Sequence, residues 1–324
     1  MRRAHSPLEP VTARSPLTHQ ELDVTEDARP MINDRLVREV LGLSASRPFE
    51  AVQLGWTDSN FPNTLTFLDS GRYLQSLIAN QNIVAAFVAP EFCGEVEATG
   101  RAVIESGDAR YDYHALHNYV ARATKHKSPT WIDPTAAVHP TAYVAAWNVR
   151  IGAGTIIEPH ATILEDVDIG THCVVRANAV LGSEGYEHKR TKRGVLSVVH
   201  DGSVVLGDRV EIGASTCVDK GFRNKPTRIG NDTKVDNLVH IAHSVVLGER
   251  CMVVACAMLG GSTVFGDDVW IGPNASVSSV LRVGDGAFIS LGAVVTRNLD
   301  AGARVSGNFA IAHEKLVAFL RTIR

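Results

Sequence analysis

Between residues 229 and 295 every sixth position is apolar: Ile229, Val235, Ile241, Leu247, Val253, Leu259, Phe265, Ile271, Val277, Val283, Ile289 and Val295. Small or apolar residues stand two positions earlier, among them Thr233, Val239, Val245, Cys251, Ala257, Thr263, Val269 and Ala275. A second comb, Gly230, Gly248, Gly266 and Gly284, repeats every eighteen residues. A period of six suits neither an amphipathic helix nor an alternating meander, and a fixed short period marks a repeat architecture. Because a strand alternates its side chains, positions i−2 and i both face inward and the remaining residues turn a corner. Three such units close a triangular coil of eighteen residues. The pattern predicts a parallel β-helix, with the glycine comb at one corner, where a tight turn calls for positive φ.

The same period appears earlier at Ile132, Val138 and Val144, slips by one residue, and resumes at Ile151, Ile157, Ile163, Ile169, Val175 and Leu181. Residues 183–200 interrupt it. It returns at Leu206, Ile212 and Val218, and a second interruption covers about 220–228. Roughly nine coils with two ejected loops are expected, and insertions into solenoids tend to gather on a binding face. Upstream the pattern changes. Leu36, Val37, Val40 and Leu41 suit a helix, residues 65–68 and 84–88 read as strands, and 73–79 and 111–122 as helices. The domain reading is a disordered tail at 1–30, a small α/β domain at 31–125, a linker containing Lys125, His126, Lys127 and Pro129, a β-helix at 130–305 and a C-terminal segment at 306–324. In that last segment Leu316, Phe319, Leu320 and Ile323 predict a short helix capping the final coil.

Composition narrows the function. With 324 residues, 45% of them hydrophobic, the chain can bury a sizeable core and form about two domains. A net charge of −3 gives no case for nucleic acid, and the lack of a long apolar run gives none for a membrane span. The five cysteines show no metal-ligand spacing, so no metal is expected and a reducing, cytoplasmic setting is the default. Cys251 falls on an inward position and reads as core filler.

Chemistry is sought where polar residues break the comb. His240 and His243 flank inward Ile241 and project outward beside the second loop. One coil above His243 stands Gly261, about 4.8 Å along the solenoid. An imidazole base beside an exposed glycine N–H makes a workable acyl-transfer pair, the first taking a proton from an attacking amine or hydroxyl and the second holding the oxyanion. A turn-forming role for Gly260 and Gly261 is equally compatible with the spacing. Both loops are basic: His188, Lys189, Arg190, Lys192 and Arg193 in the first, Lys220, Arg223, Lys225 and Arg228 in the second. Lys220, Arg223 and Lys225 are candidates for the phosphates of a thioester donor, and solvated surface loops are the plain alternative.

Several segments together resemble the UDP-3-O-acylglucosamine N-acyltransferase family of lipid A biosynthesis, within the hexapeptide-repeat acyltransferases. They are residues 210–214, 218–221 and 236–243, with Gly182-Ser183-Glu184-Gly185-Tyr186 similar to the family's Gly-Ser-Asp-Gly-Phe. The resemblance extends over about residues 60 to 315. It implies a left-handed β-helix, a homotrimer with active sites between subunits, His243 as catalytic base and Gly261 as oxyanion donor. It implies a thioester co-substrate, on acyl carrier protein phosphopantetheine or coenzyme A, and no bound cofactor. Leu65-Thr66-Phe67-Leu68 with Tyr73 resembles the uracil-binding segment, so Phe67, Tyr73, Glu184, Tyr186, Asn237 and His240 are the substrate-binding candidates for a nucleotide sugar. Ser70, His240, Ser244 and Val280 depart from the family's Asn, Gln, Asn and His. An acetyl-coenzyme A-dependent transferase acting on another sugar, and a non-catalytic hexapeptide scaffold, are the alternatives.

Overall fold

A computed structural model describes residues 31–125, 127–222, 225–307, 310 and 312–323. The tail at 1–30 and Arg223 lie outside the described residues. Residues 131–305 wind into a parallel β-helix whose three faces are sheets of eight, nine and eight strands among the described residues. Successive coils pair eighteen residues apart, as in His240 with Met258 and Ile241 with Leu259. The two loops stretch that step without breaking the ladder: Val167 pairs with Val204 across the first, and Val204 with Thr227 across the second. The twelve sixth-position residues from Ile229 to Val295 are all buried, and with Val239, Val245, Cys251 and Ala257 they form one continuous core. Inward threonines satisfy their hydroxyls between coils. Thr233 donates to the Gly248 carbonyl at 2.9 Å and accepts from the Cys251 N–H at 3.0 Å, so a buried polar group carries no penalty there.

The glycine comb has a different cause from the expected one. None of Gly230, Gly248, Gly266 and Gly284 has positive φ. The left-handed corner lies two residues later, at Asp232, Arg250, Asp268 and Gly286, with φ of 61°, 57°, 58° and 63°. The glycines are required because the next coil presses on them. A Cβ on Gly248 would lie 2.5 Å from both the Gly266 carbonyl carbon and Asp267 Oδ1. That carboxylate is held in place, accepting from the Glu249 N–H at 2.9 Å. Gly248→Ala is therefore expected to destabilise the protein by about 1–3 kcal/mol, the range for overpacking a rigid contact. Gly94→Ala, in the helix Cys93–Glu97 with open space around it, is expected to be neutral or mildly stabilising. Urea denaturation of the two variants checks the contrast.

The N-terminal region is a four-stranded parallel sheet, Gln53–Leu54, Thr64–Leu68, Ile83–Val88 and Ala102–Glu105 in that order. The helices Asp34–Leu41, Leu74–Ala79, Cys93–Glu97 and Ala109–Ala123 accompany it. The strand Ala102–Glu105 and the helix Cys93–Glu97 escaped the sequence reading, the latter because a five-residue helix shows no period. The first ejected loop forms a hairpin, His188–Thr191 against Gly194–Ser197, and docks on the long helix. Asn118 donates to the Ser197 carbonyl and accepts from the Val199 N–H, at 2.9 and 2.8 Å. Arg193 pairs with buried Asp112 at 2.9 Å. The hairpin thus ties the small domain to the solenoid.

The C-terminal helix spans His313–Thr322. It leaves Phe319, Leu320 and Ile323 exposed, so it does not bury those apolar residues on the last coil as expected. No helix among the described residues is long and apolar enough to cross a membrane.

Candidate active site

Ile241 points into the core and strand alternation turns His240 outward, while His243 lies two residues beyond the strand, in the turn at the corner of the coil. The ladder then sets His243 beneath Gly261. Ala242 N–H donates to the Leu259 carbonyl at 3.1 Å and Ser262 N–H to the His243 carbonyl at 2.9 Å. A Cβ on Gly261 would lie 2.8 Å from His243 Nε2. Among the described residues the amides of Gly260 and Ser262 serve the ladder, while the Gly261 N–H has no backbone acceptor. Of the two readings open from spacing, Gly261 therefore abuts the imidazole and Gly260 serves coil packing, since a Cβ on Gly260 would lie 2.5 Å from the Ser279 N.

The first loop closes over the imidazole. Gly185 comes so near that a Cβ there would be 3.1 Å from His243 Cβ. Glu187 Oε2 lies 3.8 Å from His243 Nε2. The His200 ring stands 5.4 Å from that of His243 and the Phe222 ring 6.3 Å. Among the described residues, His243 Nδ1 is buried with no hydrogen-bond partner. Burial, assisted by His200, lowers the His243 pKa below the ordinary 6.5, against the opposing pull of Glu187 and Asp219. The imidazole is accordingly neutral at neutral pH, the form a general base needs. Glu187, His200 and Phe222 were not singled out in the sequence; only the folding of the loops brings them to His243.

Glu184 organises the wall behind His200. Its Oε2 accepts from the His200 main-chain N–H at 2.9 Å and lies 3.0 Å from His200 Nδ1, and its Oε1 lies 3.0 Å from Lys220 Nζ. Burial alone would raise the Glu184 pKa; the His200 hydrogen bonds and the Lys220 charge outweigh it and take it down to about 2. Lys220 is itself buried and pairs with Glu184, with Asp166 at 3.9 Å. Its ammonium is committed inside the protein rather than displayed in the loop. Lys225 is exposed. Lys189 pairs with Glu187 and lies 5.9 Å from the Trp56 ring.

The aromatic candidates separate. Phe67 packs against Tyr113, His114 and Trp56, with ring centroids at 4.9, 5.6 and 5.8 Å. Tyr73 is exposed beside Arg72, and no ring contact joins it to Phe67 among the described residues. Trp56, half-exposed above Phe67, was missed because it lies in a segment without period. Tyr186 is exposed, its ring edge-on to His188 at 4.7 Å. Asn237 Oδ1 accepts from the Ala214 N–H at 2.6 Å and so braces a corner of the coil. His240 lies 3.7 Å from Asp219 rather than against His243's neighbours in the loop. Ser244 Oγ accepts from the Phe222 N–H at 3.1 Å, fixing the second loop. Val280 donates its N–H to the Gly261 carbonyl at 2.9 Å and has φ of 62°, a strained conformation for a β-branched residue.

The arrangement offers a neutral imidazole next to an uncommitted backbone N–H, between a solenoid face and two loops. The model for the bacterial transferase hexapeptide (six repeats) matches residues 148–183 and 226–261. A UDP-3-O-acylglucosamine N-acyltransferase of Methylobacterium sp. is 30% identical over 282 residues, 77% of this chain and 79% of that one. The protein of the same name in Bordetella pertussis is 28% identical over 296 residues, 80% of this chain and 81% of that one. That of Wolinella succinogenes is 38% identical over 161 residues, 49% and 50% of the two chains.

Proposed function

Because the chain belongs to the UDP-3-O-acylglucosamine N-acyltransferase family of left-handed hexapeptide β-helices, we propose that His243 and Gly261 carry its acyl transfer from a thioester to the amine of a UDP-linked amino sugar. The observation that supports this pair is the placement of Gly261 within a Cβ's reach of His243 Nε2, beside an N–H that serves no ladder bond. The amine nitrogen attacks the thioester carbonyl and His243 takes its proton. The carbonyl oxygen becomes an oxyanion that accepts from the Gly261 N–H. Collapse of the tetrahedral intermediate breaks the C–S bond, and the departing thiolate takes the proton from the imidazolium. The products are an amide and a free thiol.

The donor is a thioester of acyl carrier protein or coenzyme A. Exposed Lys225 is the residue offered to its phosphates. Trp56 and Phe67, with Lys189 above them, are the surface offered to the nucleotide. The working unit is a homotrimer, since the outward face beside His243 supplies one wall of a cleft and a second subunit supplies the other. All five cysteines are free, which suits a reducing compartment such as the cytoplasm.

The test is thiol release from acyl carrier protein and coenzyme A thioesters in the presence of UDP-3-O-acylglucosamine, with the mass in solution measured by light scattering. Acceptor-dependent release by a trimer is expected. Release only with acetyl-coenzyme A and another sugar replaces the acceptor and donor, and no release with any acceptor makes the chain a scaffold.

The lowered His243 pKa predicts the pH profile. Protonation removes the base, so kcat/KM falls as pH drops through that pKa, with a midpoint below 6.5 and a plateau well above that midpoint. A midpoint at or above 6.5 contradicts a buried, neutral base.

A further inference from the structure

On the same solenoid face, three side chains of different chemistry converge. Cys217 and Asp219 lie two apart on the strand Cys217–Asp219 and so share its outward side. The ladder pairs Cys217 with His240 on the next coil, which brings the imidazole over the thiol. Asp219 Oδ1 is 3.7 Å from Cys217 Sγ, and Asp219 Oδ2 is 3.7 Å from His240 Nε2. One ligand atom from each of the three lies within 4.8 Å of the others. Donors held about 2.0–2.3 Å from a tetrahedral ion stand at comparable separations from one another.

The charge balance points the same way. Asp219 is buried, yet neighbouring Lys220 is turned to Glu184, and among the described residues the only basic side chain within 4 Å of Asp219 is His240. Its closest partner is the Ser183 hydroxyl, which donates to Oδ1 at 2.7 Å. A buried carboxylate with so little counter-charge is costly unless a cation joins it. The remaining carboxylate oxygen, the thiol and the half-exposed imidazole leave an approach from the His240 side.

We propose that Cys217, Asp219 and His240 form a divalent metal site of zinc type, with three protein ligands and one position open to solvent. Binding joins the metal to Cys217 Sγ, to an Asp219 oxygen and to the lone pair of His240 Nε2. The thiol proton is released to solvent, and the two anionic ligands balance the charge of the ion. Thiolate, imidazole and carboxylate together select zinc over magnesium or calcium, which take oxygen donors. Ser183 holds the carboxylate from outside the ligand set. The ligands include neither His243 nor Gly261, although the Asp219 charge also acts on the His243 imidazole.

Cobalt(II) serves as the spectroscopic probe and a chromophoric chelator as the competitor for zinc. The intact protein is expected to bind one equivalent of cobalt with a thiolate-to-cobalt absorption and the intense visible bands of four-coordination. Cys217→Ser should abolish the thiolate absorption, and Cys256→Ser, at an exposed thiol elsewhere, should retain it. His240→Gln changes an exposed side chain and should weaken zinc binding about 100-fold or more, beyond the roughly 10–100-fold attached to outer-shell partners. Unaltered circular dichroism of His240→Gln excludes misfolding as the cause. Absence of the thiolate absorption in the intact protein, its survival in Cys217→Ser, or an unchanged zinc affinity in His240→Gln overturns the proposal.

Discussion

His243→Ala is expected to lower kcat by about 10²–10⁴-fold, the range for loss of a positioned acid–base group. The amine acceptor loses its proton only as its nitrogen bonds to the thioester carbon, so removing the base raises the barrier rather than weakening binding. KM should change much less than kcat. Folding should be unaffected: the His243 main chain supplies the ladder bond to Ser262, and among the described residues no hydrogen bond reaches Nδ1. The remaining rate comes from the Gly261 amide and from holding the two substrates together. His240→Ala is the control. Its side chain faces Asp219, outside the Gly261 corner, and it should cost less. Steady-state kinetics of the two variants, with circular dichroism on each, decides the matter. A larger loss for His240→Ala would transfer the base to that residue.

Gly261→Ala should be nearly as damaging, for a steric reason. The added methyl carbon would sit 2.8 Å from His243 Nε2 and 2.9 Å from Cε1, closer than unbonded heavy atoms tolerate. The imidazole must turn aside, and the methyl group occupies the space where a thioester would approach the amide. Loss of base alignment and of one oxyanion donor together predict a fall of roughly 10²–10³-fold in kcat. Stability should change little, because only a side chain has to move. Gly260→Ala predicts the opposite pattern. Its Cβ meets main-chain atoms of Ser278 and Ser279 at 2.7 and 2.5 Å, so the solenoid itself is strained and unfolding should come at lower denaturant. Kinetics and urea midpoints measured on both variants separate the roles of the two glycines. Equal stability losses with equal activity would remove Gly261 from the chemistry.

The contrast between these neighbouring glycines shows where the sequence could be read directly. The sixfold comb specified strands, inward residues and the coil length, because a strand's alternation and a repeating corner leave a periodic imprint on composition. Adding one coil length to His243 led to Gly261, and the pairing of Ile241 with Leu259 bears that arithmetic out. The same arithmetic fails across an ejected loop. A step of eighteen from Cys217 leads to Val235, whereas the second loop shifts the partner to His240. The metal-ligand cluster was therefore hidden, although all three of its residues were visible.

What the chain determined by itself was the solenoid, the two interruptions and the histidine-glycine corner, since each is fixed by local periodicity and by counting along an unbroken ladder. The tertiary structure decided everything that depends on loops leaving and returning. It folded the first loop into a hairpin that brings Gly185, Glu187 and His200 to His243. It turned Lys220 inward to Glu184, and it paired Phe67 with Trp56 and Tyr113 instead of Tyr73. It also reassigned the glycine comb from turn conformation to contact between coils. Steric pressure from the next coil acts across eighteen residues of chain, and a spacing records that something is required at a position without recording which neighbour requires it.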